Sequence, residues 1–269
     1  MSVKIDNWIG RTGNNLIQIS SAIKTCERES TNLIIPYLDI FESNLFKVSE
    51  NDSNYEYSGN FLGVYLSDDE RKKICQKYIK DKIKYTKINL SVDDLVIHIR
   101  GGDVFKHSPK FYVQAPISYI NKILKEETYK NIYVIFEDFT NPMVNYLIEN
   151  YKNVEIINDF NESINYILSC NTLITTGVST FSRSLSMCSD NLRKLYVPLF
   201  EIKNEEYINN CKYLNIKPSK NIEGLEYFFT GIDLYEFSDI EVVTVEIENY
   251  IKYGDWDWGN PINQELFMK

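Results

Sequence analysis

Three short segments of this 269-residue chain combine glycines with side chains that bind anions or move protons. They are GRTGNN at 10–15, HIRGGD at 98–103 and TTGVSTFS at 175–182. Glycine lets a ligand approach the backbone closely, and the N–H groups at the start of a helix attract anions. Arg100 offers a planar fork of donors suited to a diphosphate, and Asp103 can accept a proton from a hydroxyl. Together the segments predict a diphosphate cleft, although an ordinary turn or helix cap would explain each one alone.

The elements that must position these segments follow from the hydrophobic pattern. Short apolar runs alternate with longer amphipathic stretches, which is typical of βα units and a parallel sheet. Ligands of such sheets lie beyond the carboxyl ends of the strands, where the segment 98–103 begins. We expect strands at 95–99, 132–136, 154–157, 173–175 and 195–197, and helices at 117–125, 142–151, 163–169 and 181–187. Upstream we expect a helix at 16–26, a strand at 33–35 and a charged helix at 68–85.

The composition of the chain restricts the classes of partner that we expect it to bind. The chain carries 29 Lys and Arg against 38 Asp and Glu, a net charge of −9, which disfavours nucleic acid. We expect no membrane span, since no run approaches the roughly 20 apolar residues that one requires. The start does not resemble a signal peptide, and the five scattered cysteines form no CxxC pair. These features predict a cytoplasmic protein, in a bacterial cell or in the host cytosol of a virus.

In their order along the chain, GRTGNNLIQ, HIRGGD, IYVIFED and INYILSCNTLITTGVSTFS resemble the inverting fucosyltransferase superfamily. That superfamily includes α-1,2-, α-1,6- and protein O-fucosyltransferases. The resemblance implies a GT-B-like α/β fold with two Rossmann-like domains facing a cleft. It also implies transfer without a metal, and no cofactor other than a nucleotide-diphosphate sugar as donor. We expect an N-terminal, acceptor-side domain at 1–92, a nucleotide-sugar-binding domain at 93–235 and a C-terminal extension at 236–269 that packs back on the body.

The resemblance also implies roles for individual residues. Arg100 would hold the donor diphosphate and stabilise the leaving phosphate, and Asp103 is the candidate base. Asp138 matches an acidic motif that would order the cleft. The residues that would bind the donor are Gly10, Gly13, Asn14, His98, Arg100, Asp138, Ser163, Ser179, Thr180 and Phe181, and no metal site is expected.

Two positions depart from the family pattern. Many α-1,2 members carry a second arginine where this chain has Gly101. Ser163 stands where members often carry an aspartate that reads the guanine edge, and a hydroxyl cannot accept paired N–H donors as a carboxylate does. Either Glu162 or Asp159 substitutes, or the donor carries another base.

The sequence therefore predicts a metal-independent inverting glycosyltransferase that moves a sugar to an oligosaccharide or other glycan acceptor, with GDP-fucose as the favoured donor. One alternative is the same fold with a UDP-sugar such as UDP-xylose. The other is a non-catalytic protein that binds sugar nucleotides or glycans, because a fold does not by itself imply activity.

Overall fold

A computed structural model describes residues 2–50, 54–62, 64, 66–102, 114–176, 179–200, 219–222, 225–227, 237–247 and 267–268. Within these residues the chain is α/β. The helices are α1 Thr12–Glu29, α2 Asp68–Ile74, α3 Ile117–Glu126, α4 Pro142–Asn150, α5 Phe160–Ser169 and α6 Thr180–Cys188. The strands are β1 Ser2–Ile5, β2 Asn32–Ile34, β3 Leu45–Phe46, β4 Tyr57–Gly59, β5 Asp94–Ile99, β6 Asn131–Phe136, β7 Val154–Ile157, β8 Thr172–Thr175, β9 Lys194–Phe200, β10 Ser219–Ile222, β11 Leu225–Tyr227 and β12 Glu241–Ile247.

The first sheet is small and belongs to the N-terminal part of the chain. Its strand order is β3-β2-β1-β4, with β1 parallel to both β2 and β4 and β3 antiparallel to β2. Helix α1 follows β1 directly, so its start lies at the carboxyl edge of this sheet. Strand β10 pairs separately with β11.

The second sheet contains six parallel strands in the order β12-β9-β8-β5-β6-β7. Every residue of β5 is buried, as expected for a strand covered on both faces. Helices α3 and α4 cover one face, where they pack with residues such as Leu95 and Val134. Helices α5 and α6 cover the other face, and the same hydrophobic core continues into the first sheet.

The N-terminal and C-terminal parts meet through helices α1, α2 and α6. The Arg183 guanidinium on α6 lies 2.5 Å from the Asp68 carboxylate at the start of α2, and both side chains are nearly buried. The Gln76 amide donates to the carbonyls of Met187 and Ser189, each at 3.0 Å. These contacts join α2 and the turn that follows it to α6.

The expected α/β class is confirmed, as are the five strands and four helices expected between residues 95 and 197. The helix expected at 68–85 is wrong in its second half. Helix α2 passes into a π-helical turn at Cys75–Ile79 and a 3₁₀ turn at Lys80–Lys82. It stops there because Ile83 is extended and forms a β-bridge with Phe41. Strand β1 was not expected, and α1 begins at Thr12 rather than residue 16.

The described part of the stretch 242–253 lies in β12, the edge strand beside β9. None of the described helices is long and apolar enough to cross a membrane.

Candidate active site

The turn after β5 holds Arg100 at the carboxyl edge of the second sheet. Its backbone N–H donates to the Thr176 hydroxyl at 3.4 Å, and its carbonyl accepts from the Asn141 amide at 2.9 Å. The Arg100 side chain is 18% exposed. Contacts from two other segments of the chain therefore fix the backbone on which this arginine is carried.

Asp138 holds Gly102, the second residue after Arg100 in the same turn. Its Oδ1 accepts from the Gly102 N–H at 3.2 Å, from the Thr140 N–H at 2.9 Å and from the Thr140 hydroxyl. Gly102 has φ +65°, a conformation that glycine adopts without strain. A Cβ on Gly101 would lie only 2.9 Å from Asp138 Oδ1. A side chain at position 101 would therefore displace the Asp138 carboxylate that holds this turn.

The start of α1 packs directly on the start of α6. The Thr180 hydroxyl donates to Asn14 Oδ1 at 2.8 Å, and the Ser184 hydroxyl donates to the Gly13 carbonyl at 2.9 Å. A Cβ on Gly13 would lie 2.5 Å from the Phe181 nitrogen. The glycine is therefore required by this close approach of the two helices.

Both helix starts favour an anion. Neither α1 nor α6 has an acidic residue in its first turn. Arg11, the N-cap of α1, forms no side-chain capping bond, whereas the Ser179 hydroxyl caps α6 by accepting from the Phe181 N–H at 3.3 Å. The partial positive charges of two helix N-termini therefore lie side by side.

An ion cluster links the two parts of the chain at this point. Arg11 Nη1, in the loop before α1, lies 2.5 Å from Glu137 Oε1, just beyond β6. The other carboxylate oxygen, Oε2, lies 3.8 Å from Arg100 Nη1. One carboxylate thus contacts arginines that come from the edges of two different sheets.

His98 lies beneath this cluster as a neutral imidazole. Burial lowers its pKa to about 3, and the positive charges of Arg100 and Arg11 act in the same direction. Its ring centroid is 5.6 Å from that of Phe181. Within the described part of the chain, no group forms a hydrogen bond with His98 Nδ1.

The structure brings together most of the residues expected at the site. Gly13, Asn14, Ser179, Thr180 and Phe181 line the two helix starts, and His98, Arg100 and Asp138 lie at the strand ends. Gly10 has φ +78° in the loop before α1, a conformation that favours glycine. Asp103 lies outside the described residues, as do residues 177–178 of the third segment.

Ser163 is engaged within its own helix. Its hydroxyl donates to the Asp159 carbonyl at 2.7 Å, and the side chain is buried in α5. Asp159 is the N-cap of that helix and accepts from the N–H groups of Asn161 and Glu162 at 2.8 and 2.9 Å. Of the two carboxylates considered as substitutes for the family aspartate, Asp159 is therefore already used as a cap, and Glu162 is exposed.

Two residues of the cluster were missed by the sequence analysis. Arg11 stands between the glycines of the first segment, and Glu137 directly precedes Asp138. A charged residue inside a glycine segment and a carboxylate at a strand end were the available signals. Within the described residues, no three His, Cys, Asp or Glu side chains are grouped to hold a metal ion.

Comparison of the sequence with protein-family models and with characterised proteins finds no match. Among solved structures, the chain is similar to POFUT1, crystallised in complex with GDP-fucose. The TM-score is 0.45 and the sequence identity is 10%, over 72% of this chain and 97% of that one. The fold described above rests on this chain's own strand order and helix packing.

Proposed function

We propose that this chain is a glycosyltransferase whose donor is a nucleoside-diphosphate sugar, with the diphosphate held between Arg11 and Arg100. The observation that carries the proposal is the approach of these arginines, from two different sheets, to the single carboxylate of Glu137. A diphosphate offers more acceptor oxygens and more negative charge than one carboxylate. Arginine is also the side chain best suited to bind it in a bidentate manner.

The groups around the two arginines also favour the binding of a diphosphate. The starts of α1 and α6 contribute backbone N–H groups without an opposing acidic side chain in either first turn. His98 stays neutral beneath them, so its imidazole can offer a hydrogen bond without adding charge. Fixed cations and helix starts would balance the donor charge, so the proposed reaction needs no metal ion.

The proposed reaction is transfer with inversion at the sugar. A hydroxyl oxygen of the acceptor forms a bond to the anomeric carbon while the bond from that carbon to the β-phosphate oxygen breaks. The nucleoside diphosphate leaves with the electron pair, and Arg100 stabilises the charge that develops on it. The proton of the acceptor hydroxyl passes to a base, for which we propose Asp103. The order of motifs along the chain supports GDP-fucose as the donor.

The test is calorimetric titration of the wild type and Arg100→Ala with GDP, UDP, GDP-fucose and UDP-xylose, without added metal. We expect the wild type to bind GDP and GDP-fucose, and Arg100→Ala to lose that binding. Arg28→Ala is the matched control, because this exposed arginine pairs with Glu29 at the opposite end of α1. Loss of binding in the control as well would show that the effect is not specific to the cleft.

Each other outcome revises a defined part of the proposal. Preference for UDP would keep the cleft but replace the donor. Binding without hydrolysis or transfer would make the chain a sugar-nucleotide-binding protein. Absence of binding to every nucleotide would overturn the proposal. Asp103→Asn should lower kcat much more than donor affinity if this residue is the base, and an equal loss of both would make it a positioning residue.

A further inference from the structure

Aromatic side chains collect at the carboxyl edge of the first sheet. Trp8 follows β1, Tyr37 follows β2, Tyr57 lies in β4 and Phe61 comes just after it. The Trp8 indole N–H donates to the Tyr37 carbonyl at 3.1 Å, and the Tyr57 and Phe61 rings meet edge to face with centroids 5.5 Å apart. We call these four residues the aromatic edge.

The aromatic edge presents ring surface to solvent. Tyr37 is 76% exposed and Tyr57 is 50% exposed, whereas Phe61, which contacts the Tyr57 ring, is buried. The Tyr57 ring lies over its own strand, close to Gly59. A Cβ on Gly59 would be only 3.2 Å from this ring. The exposed Tyr37 beside Trp8, and the exposed Tyr57 supported by the buried Phe61, offer ring surface suited to a ligand.

The loops that carry these rings are held rigidly. Gln18, fully buried on α1, accepts from the Ile9 N–H at 2.9 Å and donates to the carbonyls of Asn7 and Asn60 at 3.2 and 2.7 Å. It thereby ties the loop after β1 to the loop after β4. Phe61 has φ +58°, a conformation that is costly for a bulky residue and that is enriched at binding and catalytic sites. A preformed surface loses little entropy when it binds a ligand.

Polar side chains that can bond hydroxyl groups belong to the same loops. Asp6, Asn7, Asp39 and Asn60 are all exposed. The Tyr37 hydroxyl donates to the Asp39 carboxylate, and this bond raises the pKa of Tyr37. Aromatic rings pack against the C–H faces of sugar rings, while carboxylates and amides bond their hydroxyls.

We propose that the aromatic edge binds a neutral oligosaccharide and is the acceptor surface of the transferase, an inference that rests on the proposed function. The exposed carboxylates of Asp6 and Asp39, together with the net charge of −9, disfavour acidic glycans and acidic peptides. The surface is also continuous with the cleft. Trp8 lies in the same loop as Arg11, whose guanidinium reaches Glu137 beside Arg100. A glycan stacked on Trp8 and Tyr37 would direct one end towards the donor.

The experiment uses Trp8 as a reporter in the absence of donor. The chain has three tryptophans, so Trp256→Phe with Trp258→Phe leaves Trp8 as the only one. We titrate this protein with lactose, N-acetyllactosamine and chitotriose as neutral probes. Sialyllactose and an acidic decapeptide are the charged probes. We expect a saturable change in Trp8 emission with at least one neutral probe and at least tenfold weaker binding of both charged probes.

Variants separate stacking from general stability. Tyr37→Ala should weaken binding of the neutral probe about tenfold or more, and Asp39→Asn should weaken it to a smaller extent. Tyr78→Ala is the matched control, because the Tyr78 hydroxyl likewise donates to a carboxylate, Glu27, at 3.0 Å on the distal half of α1. Since Tyr37 is largely exposed, Tyr37→Ala should unfold at the same temperature as the parent.

The outcomes distinguish this inference from the proposed function. Absence of a response to all neutral probes, equal binding in Tyr37→Ala, or preference for sialyllactose or the peptide would overturn the inference. Nucleotide binding by the wild type would leave the transferase standing in each of those cases. A glycan response lost in Tyr37→Ala, without any nucleotide binding, would support the aromatic edge and overturn the transferase.

Discussion

Glu137 occupies the two arginines that we propose receive the donor, so a nucleoside diphosphate must displace its carboxylate. Glu137→Gln keeps the shape of the side chain and removes its charge. We therefore expect this variant to bind GDP more tightly than the wild type. The usual result of removing a polar side chain from a ligand site is weaker binding, so the direction of the effect is a stringent test.

The magnitude follows from the exposure of the two pairs. Arg11 and Glu137 are 53% and 46% exposed, and such pairs contribute about 0.2 to 1 kcal/mol each. The contact with Arg100 is longer, at 3.8 Å, but the arginine is less exposed. Two pairs therefore cost a competing ligand about 0.4 to 2 kcal/mol. That range corresponds to about twofold to thirtyfold tighter binding in Glu137→Gln, since 1.4 kcal/mol is tenfold in Kd.

The assay is calorimetric titration of wild type and Glu137→Gln with GDP at low and high salt. Glu56→Gln is the matched control, because Glu56 forms an exposed ion pair with Lys4 at 3.1 Å away from the cleft. The gain should shrink at high salt, which screens exposed charges. Unchanged or weaker GDP binding by a folded Glu137→Gln protein, or an equal gain in Glu56→Gln, would refute the reasoning.

Three further predictions concern the packing of the helices and the protonation of buried side chains. Gly13→Ala places a Cβ 2.5 Å from the Phe181 nitrogen. We therefore expect a free energy of unfolding in urea about 1 to 3 kcal/mol lower than that of the wild type, together with weaker nucleotide binding. A variant as stable as the wild type would contradict the close approach of the two helices. Because the pKa of His98 falls to about 3 in the folded chain from 6.5, the folded state binds fewer protons between these values. Stability should therefore decrease as the pH falls from 6.5, by up to about 1.4 kcal/mol per pH unit, and a His98→Gln variant should show a shallower slope in urea titrations. Burial raises the pKa of the Cys26 and Cys170 thiols to about 12. Neither thiol should therefore react with DTNB at pH 8 until urea unfolds the protein. A Cys→Ser variant at each position identifies which thiol reacts.

Much of the second sheet could be predicted from local pattern alone. The run LVIHI at 95–99 is apolar except for His98, which is typical of a strand covered on both faces, and the structure buries all of it. The position of Arg100 followed from the same pattern, because a residue just beyond a central parallel strand must lie at the ligand edge. The first sheet was harder, since β1, β3 and β4 have four, two and three residues and carry little periodicity.

The candidate site likewise has features that the sequence predicts and contacts that only the tertiary structure shows. The sequence by itself determined the strands β5 to β9, the helices between them and the glycine segments, because burial and backbone freedom are encoded by neighbouring residues. Only the tertiary structure decided which charges meet. Arg11 and Glu137 are 126 positions apart, and their contact depends on α1 packing against α6 through Gly13. Ser163 is the opposite case, because its hydroxyl donates to the Asp159 carbonyl at the start of its own helix. The partner of a charged side chain such as Arg11 depends on how distant elements pack, and no local pattern specifies that packing.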